Sequence, residues 1–328
     1  MDLDRRNFFL AVSATAIAGC SRAASMPTPA GSVWPTFRSR FMQPDGRIVD
    51  TGNNGVSHSE GQGYAMLFAE AAGDRKSFDR LWKWTRATLS REQDALFAWR
   101  YDPRAAKPVS DPNNATDGDI LIAWALMRAA RRWEDAQYET RSAAIRAAVL
   151  HDLARDYGGR TLLLPGLNGF VDTRRVTVNP AYYVWPALDA FAATDGALWH
   201  PLMRDGEALI AAARFGPHAL PSDWVDVGPD GGVAPSAGRP PRFGYDAIRV
   251  PLYAVMGNRK ALAEPAARWW SAAMPAVPAW IDVVTGETAE YPLSDGGQTA
   301  LNRVLGRPLS DTVSTDYYSA ALQGLAHL

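Results

Sequence analysis

Ala115-Thr116-Asp117-Gly118-Asp119-Ile120-Leu121-Ile122-Ala123-Trp124-Ala125-Leu126-Met127-Arg128-Ala129 sets two carboxylates around a glycine, directly ahead of an apolar run. Apolar residues at i, i+3 and i+4 predict a helix over 117–133. The layout recurs along the chain. Ser57-His58-Ser59-Glu60-Gly61-Gln62-Gly63-Tyr64 opens a predicted helix over 58–72, and Asn179-Pro180-Ala181-Tyr182-Tyr183 opens one over 181–194. Phe243-Gly244-Tyr245-Asp246-Ala247-Ile248-Arg249 opens one over 246–256, and Ser314-Thr315-Asp316-Tyr317-Tyr318 opens the last, over 316–327. Between these, the spacing predicts helices over 34–43, 75–89, 138–156, 197–213, 259–273 and 296–306. Strands are few. Thr161–Leu164 with Val176–Val178 predicts one hairpin, and Trp224–Val227 with Val233 another. The Pro/Gly-rich stretch 215–244 is long for a loop, and long loops tend to be functional. No linker divides residues 34–328, so the expectation is one all-α domain, a closed ring of helical hairpins with small β-hairpin insertions. In such a ring alternate helices form the inner wall and point the same way. Their acid- and aromatic-bearing N-termini would meet at one mouth.

The chain of 328 residues is 47% hydrophobic and 21% charged with a net charge of -1, which excludes wholesale disorder. That balance gives no electrostatic pull toward nucleic acid or anionic membranes. A single Cys excludes an intrachain disulfide and argues against a thiolate metal cage. The five His show no H-x-x-x-H spacing, and Asp226–Gly231 fails as a calcium loop at Gly228 and Ala237. Neither metal nor cofactor is expected. No G-x-S-x-G elbow and no phosphate loop are present. Met1–Gly19 reads as a signal peptide: Asp4, Arg5 and Arg6 precede an apolar run too short to span a bilayer. Arg5-Arg6 resembles a twin-arginine signal, and Ile17-Ala18-Gly19-Cys20 resembles a lipobox in which Cys20 would carry lipid. Residues 20–33 then form a flexible tether. Export to the periplasm follows, with membrane contact only through the anchor.

Carboxylates at helix starts also have an ordinary use. Ser57-x-x-Glu60 forms a capping box and Thr116-x-x-Asp119 a shorter-armed one, while Asp117 and Asp246 complement helix dipoles. Glycine distinguishes these starts from plain caps. Gly61, Gly63 and Gly118 each cost about 1 kcal/mol against Ala in a helix, which close approach of a ligand or a neighbouring helix would justify. Acids with aromatics, among them twelve Trp expected to line a groove, suit a polysaccharide. Sugar rings stack on aromatic faces, and glycosidic cleavage needs an acid and a second carboxylate.

These motifs resemble those of glycoside hydrolase family 8. The Ala115–Ala129 stretch, continuing to Trp133, is similar to the family signature; Ser59–Tyr64 resembles its acid motif and Tyr245–Arg249 its base motif. The resemblance runs from about residue 34 to the C-terminus and implies an (α/α)6 barrel. Within the family it resembles the short periplasmic endoglucanase encoded with bacterial cellulose synthase. It implies an inverting β-1,4-glucanase acting on cellulose, with Glu60 as general acid, Asp246 as general base and Asp117 holding the sugar in the cleavage subsite. Arg249 would orient the base, and Trp99, Tyr182, Tyr183, Tyr245, Tyr317 and Tyr318 are candidates for glucan subsites. Asp119 is left without a role. A helix N-terminus lowers a carboxyl pKa, whereas a general acid must keep its proton, so Glu60 is expected close to an opposing carboxylate such as Asp117. Two alternatives stay open. One is the same chemistry on chitosan or another β-1,4-polysaccharide, with Glu287 and Glu290 meeting amino groups. The other is a weakly active glucan-binding subunit of a cellulose synthase secretion complex. A monomer is expected.

Overall fold

Small residues on helix faces let helices approach closely, and the chain uses them to build a cycle of packed helices. The computed structural model describes residues 30–328. Among the described residues it contains α1 (Trp34–Phe41), α2 (Ser59–Ala71), α3 (Arg75–Leu89), α4 (Thr116–Trp133), α5 (Ala136–Ala148) and α6 (Trp185–Asp195). α7 (His200–Ala212), α8 (Arg249–Met256), α9 (Lys260–Ala273), α10 (Asp295–Val304) and α11 (Tyr317–Ala326) complete the helices. α2 packs on α4, α4 on α6, α6 on α8, α8 on α10, α10 on α11, and α11 returns to α2. α2, α4 and α11 are buried almost all round, as interior helices are. α3, α5 and α9 each bury one face, against α2, α4 and α8 respectively.

The expected signal peptide, Cys20 and most of the 20–33 tether lie outside the described residues. The tether's last residues are not free chain: Ala30–Ser32 forms a 3-10 turn against α2, and Val33 is 1% exposed.

Prolines and glycines mark several of the places where the structure departs from the expected elements. The helix expected over 138–156 stops at Ala148, passes through a π turn at Val149–Leu153 and becomes strand β1 (Ala154–Tyr157). Gly158 and Gly159 both take positive φ, so the chain reverses tightly and β1 pairs with β2 (Arg160–Leu163). The first expected hairpin is therefore wrong. A two-residue Gly-Gly turn closes a local pair at less entropic cost than the longer connection to 176–178. β3 (Val176–Val178) pairs instead with β4 (Val225–Val227), which pairs with β5 (Val233–Pro235) as the second hairpin expected. Pro186 and Pro251, without N–H groups, sit in the first turns of α6 and α8. The residues ahead of them form a 3-10 turn (Pro180–Tyr182) and the irregular turn 244–248.

Neither expected capping box forms. The caps of α2 and α4 are His58 and Ala115, and neither makes a side-chain cap bond. Thr116 Oγ1 donates to the Leu164 carbonyl at 2.6 Å. Asp119 accepts the Phe97 N–H at 2.9 Å and the Asn114 amide at 2.8 Å, fastening the loop ahead of α4 to its first turn. That is a structural task, and it gives Asp119 its role. The tryptophans are mostly core as well: nine, including Trp34, Trp185, Trp199 and Trp270, are buried, so they do not line a groove.

The three glycines mark helix crossings. A Cβ on Gly63 would lie 2.6 Å from the Leu121 Cβ, and one on Gly61 2.1 Å from the Tyr317 hydroxyl. At Gly118 it would stand 2.2 Å from Ser59 Oγ and 2.8 Å from the Glu60 nitrogen. The starts of α2 and α4 touch at the backbone that carries Glu60. Gly118→Ala is expected to lower unfolding stability by about 1–3 kcal/mol, the usual range for overpacking, despite alanine's better helix propensity. Urea denaturation read by circular dichroism measures this.

Candidate active site

One buried cation collects the acids. Arg249, at the start of α8, is 2% exposed. Its Nη1 donates to Glu60 Oε1, to Asp117 Oδ2 at 3.2 Å and to the Tyr64 hydroxyl at 2.8 Å. Its Nη2 donates to Asp246 Oδ1 at 2.6 Å. Tyr64 in turn donates to Glu60 Oε1 at 2.6 Å. Glu60 and Asp117 thus share one nitrogen, the closeness expected of them, while Asp246 holds the other. Among the described residues no protein group bonds Glu60 Oε2.

Each group reaches the node for a local reason. Glu60 stands in the first turn of α2, and Tyr64 follows one turn later on the same face. Asp117 opens α4, with one oxygen accepting the Gly118 N–H at 2.9 Å. Asp246 lies in the turn before α8, three residues ahead of Arg249.

Three carboxylates around one guanidinium leave two negative charges over if all are ionised. Burial, then the Asp246 charge, pushes the Asp117 carboxyl well above its ordinary range. Burial also pushes Asp246 up to about 6, against the pull of the Asn179 amide, Arg239 and the Trp224 indole. A proton shared among clustered, desolvated carboxyls is the condition in which acid and base roles can separate.

Aromatic side chains surround the node unevenly. Tyr182 is half-buried beside Asp117 and Asp246, whose charges, after burial, drive its hydroxyl pKa well above the usual value. Trp99 is half-buried beside the start of α2, where its carbonyl accepts the Ser59 N–H at 3.0 Å. Its ring stacks on His58 with centroids 6.0 Å apart, and its indole N–H donates to Asp111 at 2.8 Å. Tyr245 is 58% exposed and shares a 3.1 Å hydrogen bond between hydroxyls with Tyr291. Tyr318 donates to the Tyr245 carbonyl, and these three tyrosines line a pocket of about 130 Å³.

Two expected subsite residues are elsewhere. Tyr183 is 1% exposed, its hydroxyl accepts the Leu163 N–H at 3.1 Å, and its ring packs against Gly206. Tyr317 is buried against Phe41 in an edge contact and against Gly61. Both are core. Sequence reasoning passed over Tyr64, although it stands four residues after Glu60. It also passed over Asp223, Trp224 and Arg239, which come from the long 215–244 loop. Arg239 lies 3.6 Å over the Trp224 ring, and Phe170 stacks on that ring at 5.8 Å.

Carboxylates on adjacent nitrogens of one cation, beside accessible aromatics, form an arrangement for acid–base work on a sugar. The family model for glycosyl hydrolases family 8 matches residues 7–328. The chain belongs to this family. It is a glycoside hydrolase. It is 45% identical over 286 residues to an endoglucanase of Cellulomonas uda, covering 85% of this chain and 79% of that one. A probable endoglucanase of Novacetimonas hansenii is 42% identical over 312 residues, covering 92% and 91%. Among solved structures, endoglucanase Cel10 of Klebsiella pneumoniae superposes with a TM-score of 0.87 at 43% identity, covering 90% of this chain and 97% of that one. The endo-beta-1,4-glucanase CMCax of Acetobacter xylinum gives a TM-score of 0.86 at 41% identity, covering 92% and 97%.

A base must be ionised to act. With Asp246 raised to about 6, kcat/KM is expected to fall as pH drops through that value, because the carboxyl then gains a proton. A pH–rate profile measures the limb; full activity well below pH 5 would exclude Asp246 as the base.

Proposed function

We propose that this chain is an inverting endo-β-1,4-glucanase that cuts cellulose chains, with the helical cycle closed as an (α/α)6 barrel. The observation that carries a paired acid and base is the Arg249 node, which seats Glu60 and Asp246 on the two terminal nitrogens of one buried guanidinium. Inversion rests on the family resemblance, which calls for carboxyls about 6.5–9.5 Å apart. Glu60 acts as general acid. Since Oε1 is taken by Arg249 and Tyr64, its transferable proton sits on Oε2 and passes to the glycosidic oxygen as the C1–O bond breaks. Asp246 acts as general base, drawing a proton from the water that attacks C1 from the opposite face. Asp117 bonds hydroxyls of the sugar at the cleavage point, and Trp99, Tyr182, Tyr245 and Tyr318 offer ring faces to the glucan.

The endoglucanase relatives support glucan as substrate. Chitosan is disfavoured by charge: the Arg239 cation lies close enough to act on Asp246, whereas Glu287 and Glu290 are exposed residues. A pure binding role would need no paired acid and base. Export by the twin-arginine-like leader, anchoring through Cys20, a monomeric state and a link to a cellulose synthase secretion complex complete the proposal, the leader and anchor resting on sequence alone.

Reducing-end release from carboxymethylcellulose tests it. Glu60→Gln is expected to lose about 10²- to 10⁴-fold in kcat, the range of a general acid. Equal rates for variant and wild type would sink the Glu60 assignment, and inactivity of both would favour the binding role.

A further inference from the structure

The acid and the base are held in different ways. Glu60 is part of a regular helix pinned by the crossing at Gly118, whereas Asp246 stands on the irregular turn 244–248, ahead of the first hydrogen-bonded turn of α8. Arg249 fixes the Asp246 side chain, but something else must fix the backbone beneath it. That backbone converges on one atom. Asp223 Oδ1 accepts the N–H groups of Gly244 at 3.1 Å, Asp246 at 3.1 Å and Ala247 at 2.7 Å. Asp223 is itself tied down, its own N–H donating to the Arg242 carbonyl at 2.7 Å. Among the described residues it forms no ion pair. Gly244 is part of the fit, because a Cβ there would stand 3.0 Å from Asp223 Oδ2.

We propose that Asp223 is a positioning residue for the base: by gathering three N–H groups of the 244–247 turn, it aims the Asp246 carboxylate at the attacking water. Backbone and side chain of Asp246 are then fixed separately, the first by the Asp223 carboxyl and the second by the Arg249 guanidinium. A turn held at only one of these points would let the carboxylate swing, and a displacement of about 1 Å at a reacting group can cost about 10²-fold in rate. Burial and the Asp246 charge push the Asp223 carboxyl up to about 7, while the three N–H donors pull the other way and favour its ionised form. Their bonds to that carboxylate are stronger than to a neutral amide, so asparagine would hold the turn less well.

The proposal rests on Asp246 being the base, and the experiment separates the two. Wild type, Glu60→Gln, Asp246→Asn, Asp223→Asn and Asp223→Ala are compared on a cello-oligosaccharide and on a β-cellobiosyl fluoride. Fluoride leaves with little help from an acid, so that substrate reports mainly on the base and its water. Asp223→Ala is expected to lose about 100-fold in kcat and Asp223→Asn about 10-fold, with KM within about two-fold of wild type on both substrates. Glu60→Gln is expected to recover on the fluoride, and the Asp223 variants are not. Should Asp223→Ala fail to give a folded circular dichroism spectrum, Asp223→Asn decides alone. An undiminished kcat, a loss carried by KM, or recovery on the fluoride would overturn the positioning role. Wild-type rates for Asp246→Asn would overturn the base assignment on which it stands.

Discussion

A buried guanidinium cannot be left unpaired, and in this protein that requirement organises everything near the cleft. Removing one partner of a buried ion pair typically costs about 3–5 kcal/mol. Arg249 meets its requirement with Glu60, Asp117 and Asp246, which come from the starts of α2 and α4 and the turn before α8. Three segments far apart in sequence must therefore end at one point. Gly61, Gly63 and Gly118 follow from that convergence, because α2 can reach α4 and α11 only where no Cβ intervenes. Burying such a cluster is unfavourable in itself. The nearly continuous apolar interior of α2, α4 and α11 offsets it and supplies the rigidity that makes the cluster useful.

Function grows from an asymmetry in that cluster. Glu60 belongs to a rigid helix and has one oxygen committed to Arg249 and Tyr64. Asp246 belongs to a turn and depends on contacts from outside its own element. Asp117 is the most deeply placed, and burial, then the Asp246 charge, pushes its carboxyl well above the ordinary range. In the proposed mechanism these three serve as the donor, the acceptor and the carboxyl that bonds sugar hydroxyls. The exposed ring of Tyr245 and the half-buried rings of Trp99, Tyr182 and Tyr318 surround them at the surface.

Much of this is legible in the sequence, and the failures have physical causes. Helix periodicity located the helical segments because each buries a face, and the acid-plus-glycine starts pointed to convergence. Tyr182 and Tyr183 were not separable, nor Tyr317 and Tyr318. Neighbouring residues on a helix point about 100° apart, so an uncertain start leaves the inward residue undetermined. In each pair the second and the first, respectively, turned to the core. The capping patterns at Ser57 and Thr116 misled because Ser57 is drawn into a strand with its hydroxyl accepting from Arg47, while the Thr116 hydroxyl donates to the distant Leu164 carbonyl. Asp223, Trp224 and Arg239 were out of reach for a different reason. Asp223 and Trp224 precede a short strand and Arg239 follows its hairpin, so local pattern predicts the strand but only the tertiary fold brings these side chains beside Asp246.

Inversion requires two carboxylates acting on opposite sides of the sugar, one on the leaving oxygen and one on water. Proton NMR of the first products from a cello-oligosaccharide tests this directly, provided spectra are taken before mutarotation. The α-anomer of the newly formed reducing end should appear first and then decay toward equilibrium. Initial appearance of the β-anomer would mean that a carboxylate attacks the sugar itself, and the roles given to Glu60 and Asp246 would be wrong.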